Sequence, residues 1–288
     1  MPLPYSNLHS YSALIMSRYA VHYSKLFSSY NSCYNFLTHM PFTASHPAII
    51  LPLLKLRSKW FSTTGLVVGS LSPDFEYFFR LEAYSEISHT LRGIFLFNLP
   101  LSFVLATIFH LYVRDEVVHH LPAFLQRRAY AVKPVRWMSY LKRNWLVFSV
   151  SAIIGATSHV FWDDFTNVNG YVQRVLPIIQ DGVNVFGKEF IIARLIQHVS
   201  TIVGGLIVAA YILSSASKPV RYSVSRLQKV KFWTAVSVLS FSFLVFSALT
   251  DLTTDYIKSL AVTLLSGLLL GTLFVSLVAR SRRLYPNT

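Results

Sequence analysis

WLVFSVSAIIGATSHVFWDDFT, at residues 145–166, is a long apolar run that ends in a histidine and two aspartates. Its apolar part approaches the roughly 20 residues that a helix needs to cross a bilayer. His159 and Asp163 stand four residues apart, so in a helix their side chains lie on one face. A polar group of this kind costs about 2–3 kcal/mol or more near the centre of a membrane helix. The stretch therefore predicts a membrane-spanning helix whose end needs partners for its polar side chains.

The composition of the whole chain agrees with a membrane protein. Hydrophobic residues make up 53% and charged residues 13% of the sequence, and the mean hydropathy is +0.47, whereas soluble domains carry about a quarter charged residues. The net charge of +14 comes from short basic clusters between apolar runs, a pattern typical of membrane topology signals rather than of a nucleic-acid surface. The lipid bilayer is the expected partner, and no nucleic acid is expected. The single cysteine, Cys33, excludes an intrachain disulfide and a Cys-rich metal site.

Further apolar runs predict an all-α, polytopic helical membrane protein with five long transmembrane helices and a short N-terminal helical hairpin. Two shorter runs at 46–54 and 61–73, separated by KLRSKW, form the hairpin, which either packs against the other helices or spans a thinned region. Five crossings and seven crossings both remain open. The five long segments lie near 93–113, 145–162, 191–213, 232–250 and 257–279.

The chain divides into three parts by composition. Residues 1–39 are rich in Ser, Tyr, Asn and His, and we expect either an upstream extension, with Met40 as the natural start, or a disordered tail. Residues 40–213 form the predicted membrane-embedded domain with the candidate metal site. Residues 214–288 provide a basic loop and two C-terminal transmembrane helices, in which Gly267 and Gly271 have the GxxxG spacing of close helix packing.

Charge predicts the orientation of the bundle. Eighteen of the 26 basic residues fall at 55–59, 114–143, 218–231 and 280–283. These ranges are alternate connections between the predicted helices, together with the C-terminus, so they lie on the same side of the membrane. Basic residues accumulate on the cytoplasmic side of membrane proteins. We therefore expect a multi-pass integral membrane protein with a cytoplasmic C-terminus.

The opposite, extracytoplasmic face collects histidines and carboxylates from segments that are distant in sequence. Mixed imidazole and carboxylate ligands suit a divalent metal, with Zn²⁺ first and Mn²⁺ or Fe²⁺ next, better than Ca²⁺ or Mg²⁺. Asp164 lies some 100° around the helix from Asp163, so we predict that it orients a ligand or accepts a proton as the catalytic group. The candidate metal ligands are His46, Asp74, His89, His159, Asp163 and His198.

Each of these residues also has a purely structural interpretation. In this structural interpretation, His159 and Asp163 form a hydrogen-bonded pair at a helix end. Asp74, which follows Pro73, is then a first-turn acid favoured by the helix dipole. His198 beside Gln197 then makes an interhelical hydrogen bond. The sequence contains no GxSxG, HExxH, GxxxxGK[ST] or GxGxxG motif, which argues against a serine hydrolase, a zincin protease and a nucleotide-dependent enzyme.

Four blocks of the chain resemble, in order, the bacterial membrane proteins of domain-of-unknown-function family 4184. The likeness as a whole runs from Met40 to about residue 213, and beyond residue 214 it fades to generic membrane helices. The blocks are MPFTASHPAIILPL (40–53), LVVGSLSPDFEYF (66–78), SHTLRGIFLFNLPLSFVLATIFH (88–110) and GATSHVFWDDFT (155–166).

A looser likeness extends to predicted membrane-bound metal-dependent hydrolases related to zinc phospholipase C and single-strand nucleases. It implies a zinc site in which His159 and Asp163 supply a His-x-x-x-Asp pair, Asp74 and His89 a second pair fifteen residues apart, and His46 an N-terminal ligand. The implied function is a metal-dependent hydrolase acting on a phosphoester or lipid-like substrate. The alternative is a non-enzymatic membrane protein, either a metal or proton transporter or a scaffold in which the cluster is a polar network.

Overall fold

The computed structural model describes residues 43–54, 60–132, 135–165, 171–185, 188–220, 224–250 and 256–284. The predicted extension at 1–39 lies outside these ranges. In chain order the elements are α1 (Thr43–Leu54), α2 (Thr63–Leu71), α3 (Phe75–Arg80), α4 (Leu91–His120), α5 (Ala123–Ala129), α6 (Trp137–Asp164), α7 (Tyr171–Val175), β1 (Gly182–Val185), β2 (Lys188–Ile191), α8 (Ile192–Ser214), α9 (Arg226–Leu249) and α10 (Tyr256–Leu284).

Five of the helices in the described ranges are long and apolar enough to cross a membrane, as the sequence predicts. They are α4, α6, α8, α9 and the Ser259–Ser281 part of α10. Helix α6 is kinked at Asn144, whose backbone leaves helical geometry (φ −127°, ψ 24°). The kink lies next to residue 145, where the second predicted span starts. The architecture is therefore mostly helical and compatible with a multi-pass membrane protein.

The two short apolar runs at the N-terminal side also form helices. Within α1, Thr43–Ile50 is a 3₁₀ helix that contains Pro47; proline has no N–H to donate and disfavours a regular α-helix around it. A 3₁₀ turn at Ser72–Asp74 separates α2 from α3. The connection at 55–59, on which the hairpin prediction depends, lies outside the described residues.

Helices α2 and α6 touch backbone to backbone. A Cβ on Gly69 would lie 2.2 Å from the carbonyl oxygen of Ala152, and a Cβ on Gly155 would lie 2.3 Å from that of Leu66. Only glycine fits at either position, and the small residues let the two helices approach closely. This contact sets the relative height of the two helix ends that carry the candidate ligands.

The predicted glycine pair at the C-terminal side behaves in the same way. A Cβ on Gly267 would lie 2.9 Å from the carbonyl oxygen of Ser240, and one on Gly271 would lie 3.2 Å from that of Val236. The two glycines therefore allow α10 to pack closely against α9.

Two features differ from the simplest reading of the sequence. The basic connection at 114–144 is largely helical, because α4 continues to His120 and α5 follows it. An antiparallel β-hairpin then pairs Gly182 with Ile191 and Val185 with Lys188 just before α8. The alternating pattern of these short strands is too brief to be separated from loop sequence.

Candidate metal centre

Three segments bring four of the six predicted ligands together. Asp74 closes the 3₁₀ turn after α2, His89 precedes α4, and His159 and Asp163 lie in the last two turns of α6. One ligand atom from each of the four lies within 4.8 Å of all the others. This group, hereafter the His/Asp cluster, could hold a metal ion, and the role of its members as ligands stays a prediction.

Three of the four His–Asp distances within the His/Asp cluster lie in the range of a tetrahedral site. Nε2 of His159 lies 3.3 Å from Oδ1 of Asp74 and 3.4 Å from Oδ2 of Asp163. Nε2 of His89 lies 3.4 Å from the same oxygen of Asp163 and 3.8 Å from Oδ1 of Asp74. Ligand atoms held about 2.0–2.2 Å from a tetrahedral zinc ion lie roughly 3.3–3.6 Å from one another. The donor set therefore fits a divalent cation at its centre.

The hydrogen bonding of His159 supports the same conclusion. Its Nδ1 lies 2.7 Å from the carbonyl oxygen of Ser70 and can only donate to it. In the neutral imidazole, Nε2 then carries a lone pair that faces two carboxylates. The side chain is fully buried and Nε2 has no hydrogen-bond partner. A metal-bound histidine makes this arrangement, with its other ring N–H donated to a carbonyl.

Asp74 is a buried acidic group that a cation could neutralise. Its side chain is fully buried, and neither carboxylate oxygen accepts a hydrogen bond. A buried charge is tolerated when it is paired, hydrogen-bonded or bound to metal. Asp74 and Asp163 together bring two negative charges to a site that a divalent cation would neutralise.

His46, the fifth predicted ligand, lies beside the His/Asp cluster rather than within it. Its ring stacks on that of His159 with 3.7 Å between centroids, and its Nε2 lies 3.5 Å from Oδ1 of Asp163. Burial, and then the neighbouring His159, lowers the pKa of His46 to about 4. Neither ring nitrogen has a hydrogen-bond partner, so a neutral imidazole with an available lone pair adjoins the cluster.

Neighbouring side chains from the loop of His89, from α3 and from α4 fix the orientation of the His89 ring. Nδ1 lies 2.9 Å from the hydroxyl of Ser88, and Nε2 lies 3.3 Å from the hydroxyl of Tyr77, whose ring stacks on the imidazole. The amide of Asn98, in a π-helical turn of α4, donates to the carbonyl of Ser88 at 2.8 Å. Extra residues of this kind within an α-helix occur frequently at functional sites.

Glu76, two residues after Asp74, is a positioning residue outside the predicted set of metal ligands. Its buried carboxylate accepts hydrogen bonds from the backbone N–H groups of Glu86, Ile87 and Ser88 at 2.7–3.1 Å, and from Nε of Arg80 at 2.9 Å. Burial works to raise the pKa of Glu76, but the N–H groups of Glu86, Ser88 and Ile87 outweigh it and lower the pKa to about 2. The carboxylate thereby fixes the loop that presents His89.

The two remaining predicted residues lie differently. Oδ2 of Asp164 accepts a hydrogen bond from the backbone N–H of Val172 at 2.6 Å, which ties the end of α6 to α7. His198 is not a member of the His/Asp cluster. It lies half-buried on α8, one helical turn after Arg194. The catalytic role of Asp164 and the ligand role of His198 stay predictions.

One comparison with known proteins identifies a family. A family model described as Domain of unknown function (DUF4184) matches residues 40–277, so the chain belongs to that family. The match begins at Met40, as the resemblance predicts, and extends past residue 213 through α9 and most of α10. No curated protein and no solved structure matches the chain.

Proposed function

We propose that this member of the DUF4184 family is a membrane-bound, metal-dependent hydrolase in which Asp74, His89, His159 and Asp163 hold a divalent cation, Zn²⁺ before Mn²⁺ or Fe²⁺. The observation that carries the proposal is that Nε2 of His159 makes no hydrogen bond and faces two carboxylates, while Nδ1 is held by a carbonyl. Bound there, the cation would supply Lewis-acid chemistry to a phosphoryl or carbonyl oxygen.

The surrounding residues prepare the site for such a substrate. The side chains of His159 and Asp74 are completely buried, whereas that of His89 is 11% exposed. The His89 side therefore offers an approach from outside. Tyr77 and Ser88 hold the His89 ring, and the neutral imidazole of His46 borders the opposite side.

The proposed location follows from the charge pattern of the sequence. The His/Asp cluster lies at the start of α4 and the end of α6, and the basic clusters lie at the other ends of these helices. With basic residues on the cytoplasmic side, the cluster faces outward from a bacterial inner membrane and the C-terminus lies in the cytoplasm. The first substrate class to test is a phosphoester or other lipid-like molecule.

A metal-free polar network is the second candidate, because a doubly protonated His159 would be able to point N–H groups at Ser70 and at Asp74 or Asp163. The transporter alternative has less support. On the proposed cytoplasmic side of the cluster, Phe148 and Ala152 of α6 belong to the apolar core. A transporter would need polar residues along this part of the helix.

The test is elemental analysis of the detergent-purified full chain, prepared without chelators. We expect about one equivalent or more of Zn, Mn or Fe per chain, lost in Asp163→Asn and in His159→Ala/Asp163→Ala. Asp163→Asn preserves the side-chain volume, so metal loss with an unchanged circular dichroism spectrum assigns the site. Asp164→Asn is the matched control and retains the metal.

The hydrolase claim has its own measurement. Metal-loaded wild type should cleave members of a panel of phosphodiesters and phospholipids, and Asp163→Asn should not. Folded wild type that neither contains nor takes up metal contradicts the metal site and supports the polar network. A metal-loaded chain that cleaves nothing in the panel contradicts the proposed substrate class.

A further inference from the structure

An apolar cavity of about 560 Å³ lies between α1 and α8 and reaches His46. Its α8 wall is one continuous stripe of residues spaced three or four apart, which is one face of a helix. The residues of this stripe are Ile192, Leu195, Ile196, Val199, Ser200, Val203, Gly204 and Ile207. Ser45, Ala48 and Ile49 of α1 and Trp162 of α6 complete the wall.

The length of the α8 wall and the volume of this cavity suit a single hydrocarbon chain. The stripe from Ile192 to Ile207 spans about 22 Å at 1.5 Å per residue. One leaflet of a bilayer contributes about 15 Å of hydrocarbon, half of the roughly 30 Å core. An apolar space whose helical wall has this length accommodates an extended acyl chain, and the volume lies within the roughly 300–1,000 Å³ of small-molecule sites.

The surroundings of the cavity also favour a lipid over a polar ligand. Helix α8 is apolar enough to span a membrane yet has only 6% of its span buried within the chain. Beside the stripe, Ile202 and Leu206 are 62% and 64% exposed, and these apolar side chains would lie in bilayer hydrocarbon. A chain entering the cavity therefore comes from the medium that already surrounds the helix.

Two lining residues connect the cavity to the His/Asp cluster. His46 lines the cavity and also lies 3.5 Å from Asp163 and stacks on His159. Trp162 also lines the cavity and is the residue next to Asp163 in α6. A lipid whose acyl chain occupies the cavity can therefore bring its polar end to the cluster.

We propose that this cavity binds one acyl chain of a bilayer lipid and presents the ester or phosphoester of that lipid to the His/Asp cluster. The catalytic part of this statement rests on the proposed hydrolase function, and the binding part does not. The substrate class it assigns is a membrane glycerolipid.

The test uses lipids with brominated acyl chains, which quench tryptophan fluorescence on contact. The full chain is reconstituted into vesicles of brominated or unbrominated phosphatidylcholine. The difference in quenching between wild type and Trp162→Phe gives the contribution of Trp162. We expect strong quenching of Trp162 in wild type, because an acyl chain in the cavity contacts its indole.

A pair of double variants separates the cavity from the surrounding bilayer. Val199→Phe/Val203→Phe adds bulk to the stripe that lines the cavity, whereas Ile202→Phe/Leu206→Phe adds the same side chains to a neighbouring face of α8 that does not line it. Each double variant is measured with and without Trp162→Phe. We expect the first to reduce the quenching of Trp162 at least by half and the second to leave it unchanged. Val203→Phe beside Ile202→Phe repeats the comparison with a smaller change.

Elemental analysis of the same samples separates this proposal from the proposed function. Equal quenching of Trp162 in the two double variants, with metal retained, overturns the acyl-chain site and leaves the hydrolase proposal standing. Selective loss of quenching in a chain that holds no metal establishes the lipid site and contradicts the hydrolase. Selective loss with metal retained supports both.

Discussion

Glu76 controls the cluster at the residue scale without belonging to it. Its carboxylate accepts three backbone N–H groups from the loop that carries His89. In Glu76→Gln, an amide NH₂ would replace one acceptor and face donors of this loop. We expect the metal affinity to fall about 10–100-fold, as for other residues that orient ligands. Competition with a chromogenic chelator measures it.

Glu86→Gln is the matched control, because it neutralises an exposed carboxylate of the same loop that pairs with Arg80. We expect its metal affinity to equal that of wild type. Equal affinities in Glu76→Gln and wild type would show that the loop holds His89 in place without this carboxylate.

Spacing along a helix predicted one part of the cluster directly. His159 and Asp163 share a face because they are four residues apart, and the structure places them together. Glu76 was not predictable in the same way, because its partners are backbone N–H groups of residues 86–88 and no side chain identifies them.

At the scale of secondary structure, the contact between α2 and α6 sets the distance from Ser70 to His159. Gly69→Ala and Gly155→Ala each place a methyl group less than 2.5 Å from a backbone carbonyl of the facing helix. The helices must then separate. We expect a loss of about 1–3 kcal/mol in stability, typical of overpacking, and weaker metal binding because the 2.7 Å contact between Ser70 and His159 is broken.

Thermal unfolding in detergent and metal content measure these two effects. Gly205→Ala on α8 is the control, because nothing lies within 4 Å of the added methyl group. We expect it to match wild type in both measurements. An unchanged metal content in Gly69→Ala would mean that the cluster tolerates a wider helix spacing.

The long helices were predictable and the short irregular elements were not. Runs of about 20 apolar residues can satisfy their backbone in a bilayer only as helices, and the five predicted segments correspond to the five apolar helices of the described chain. The GxxxG spacing of Gly65 and Gly69 is a second packing signal of the same kind in the sequence. The π-helical turn at Ile94–Asn98 depends on contacts of Asn98 with a distant loop, which no local pattern encodes.

At the scale of the whole molecule, the basic connections meet at one end of the bundle. Nζ of Lys229 donates to the carbonyl of Leu121 at 2.8 Å, and the indole N–H of Trp233 donates to the carbonyl of His120 at 2.9 Å. Arg128 donates to the carbonyl of Leu213. The helix ends that the charge pattern assigns to one side are therefore in direct contact, which supports a single cytoplasmic face.

This arrangement predicts which loops are accessible from outside the cell. In a Cys33→Ser background, single cysteines are introduced by Tyr84→Cys, in the loop beside the His/Asp cluster, and by Ser217→Cys, after α8 at the basic end; both positions are exposed. Intact bacteria that express each variant are treated with a membrane-impermeant maleimide. Because basic residues are retained in the cytoplasm, we expect labelling of Tyr84→Cys in intact cells and of Ser217→Cys only after lysis. The reverse pattern would place the cluster in the cytoplasm, and labelling of both variants in intact cells would contradict five crossings with alternating sides.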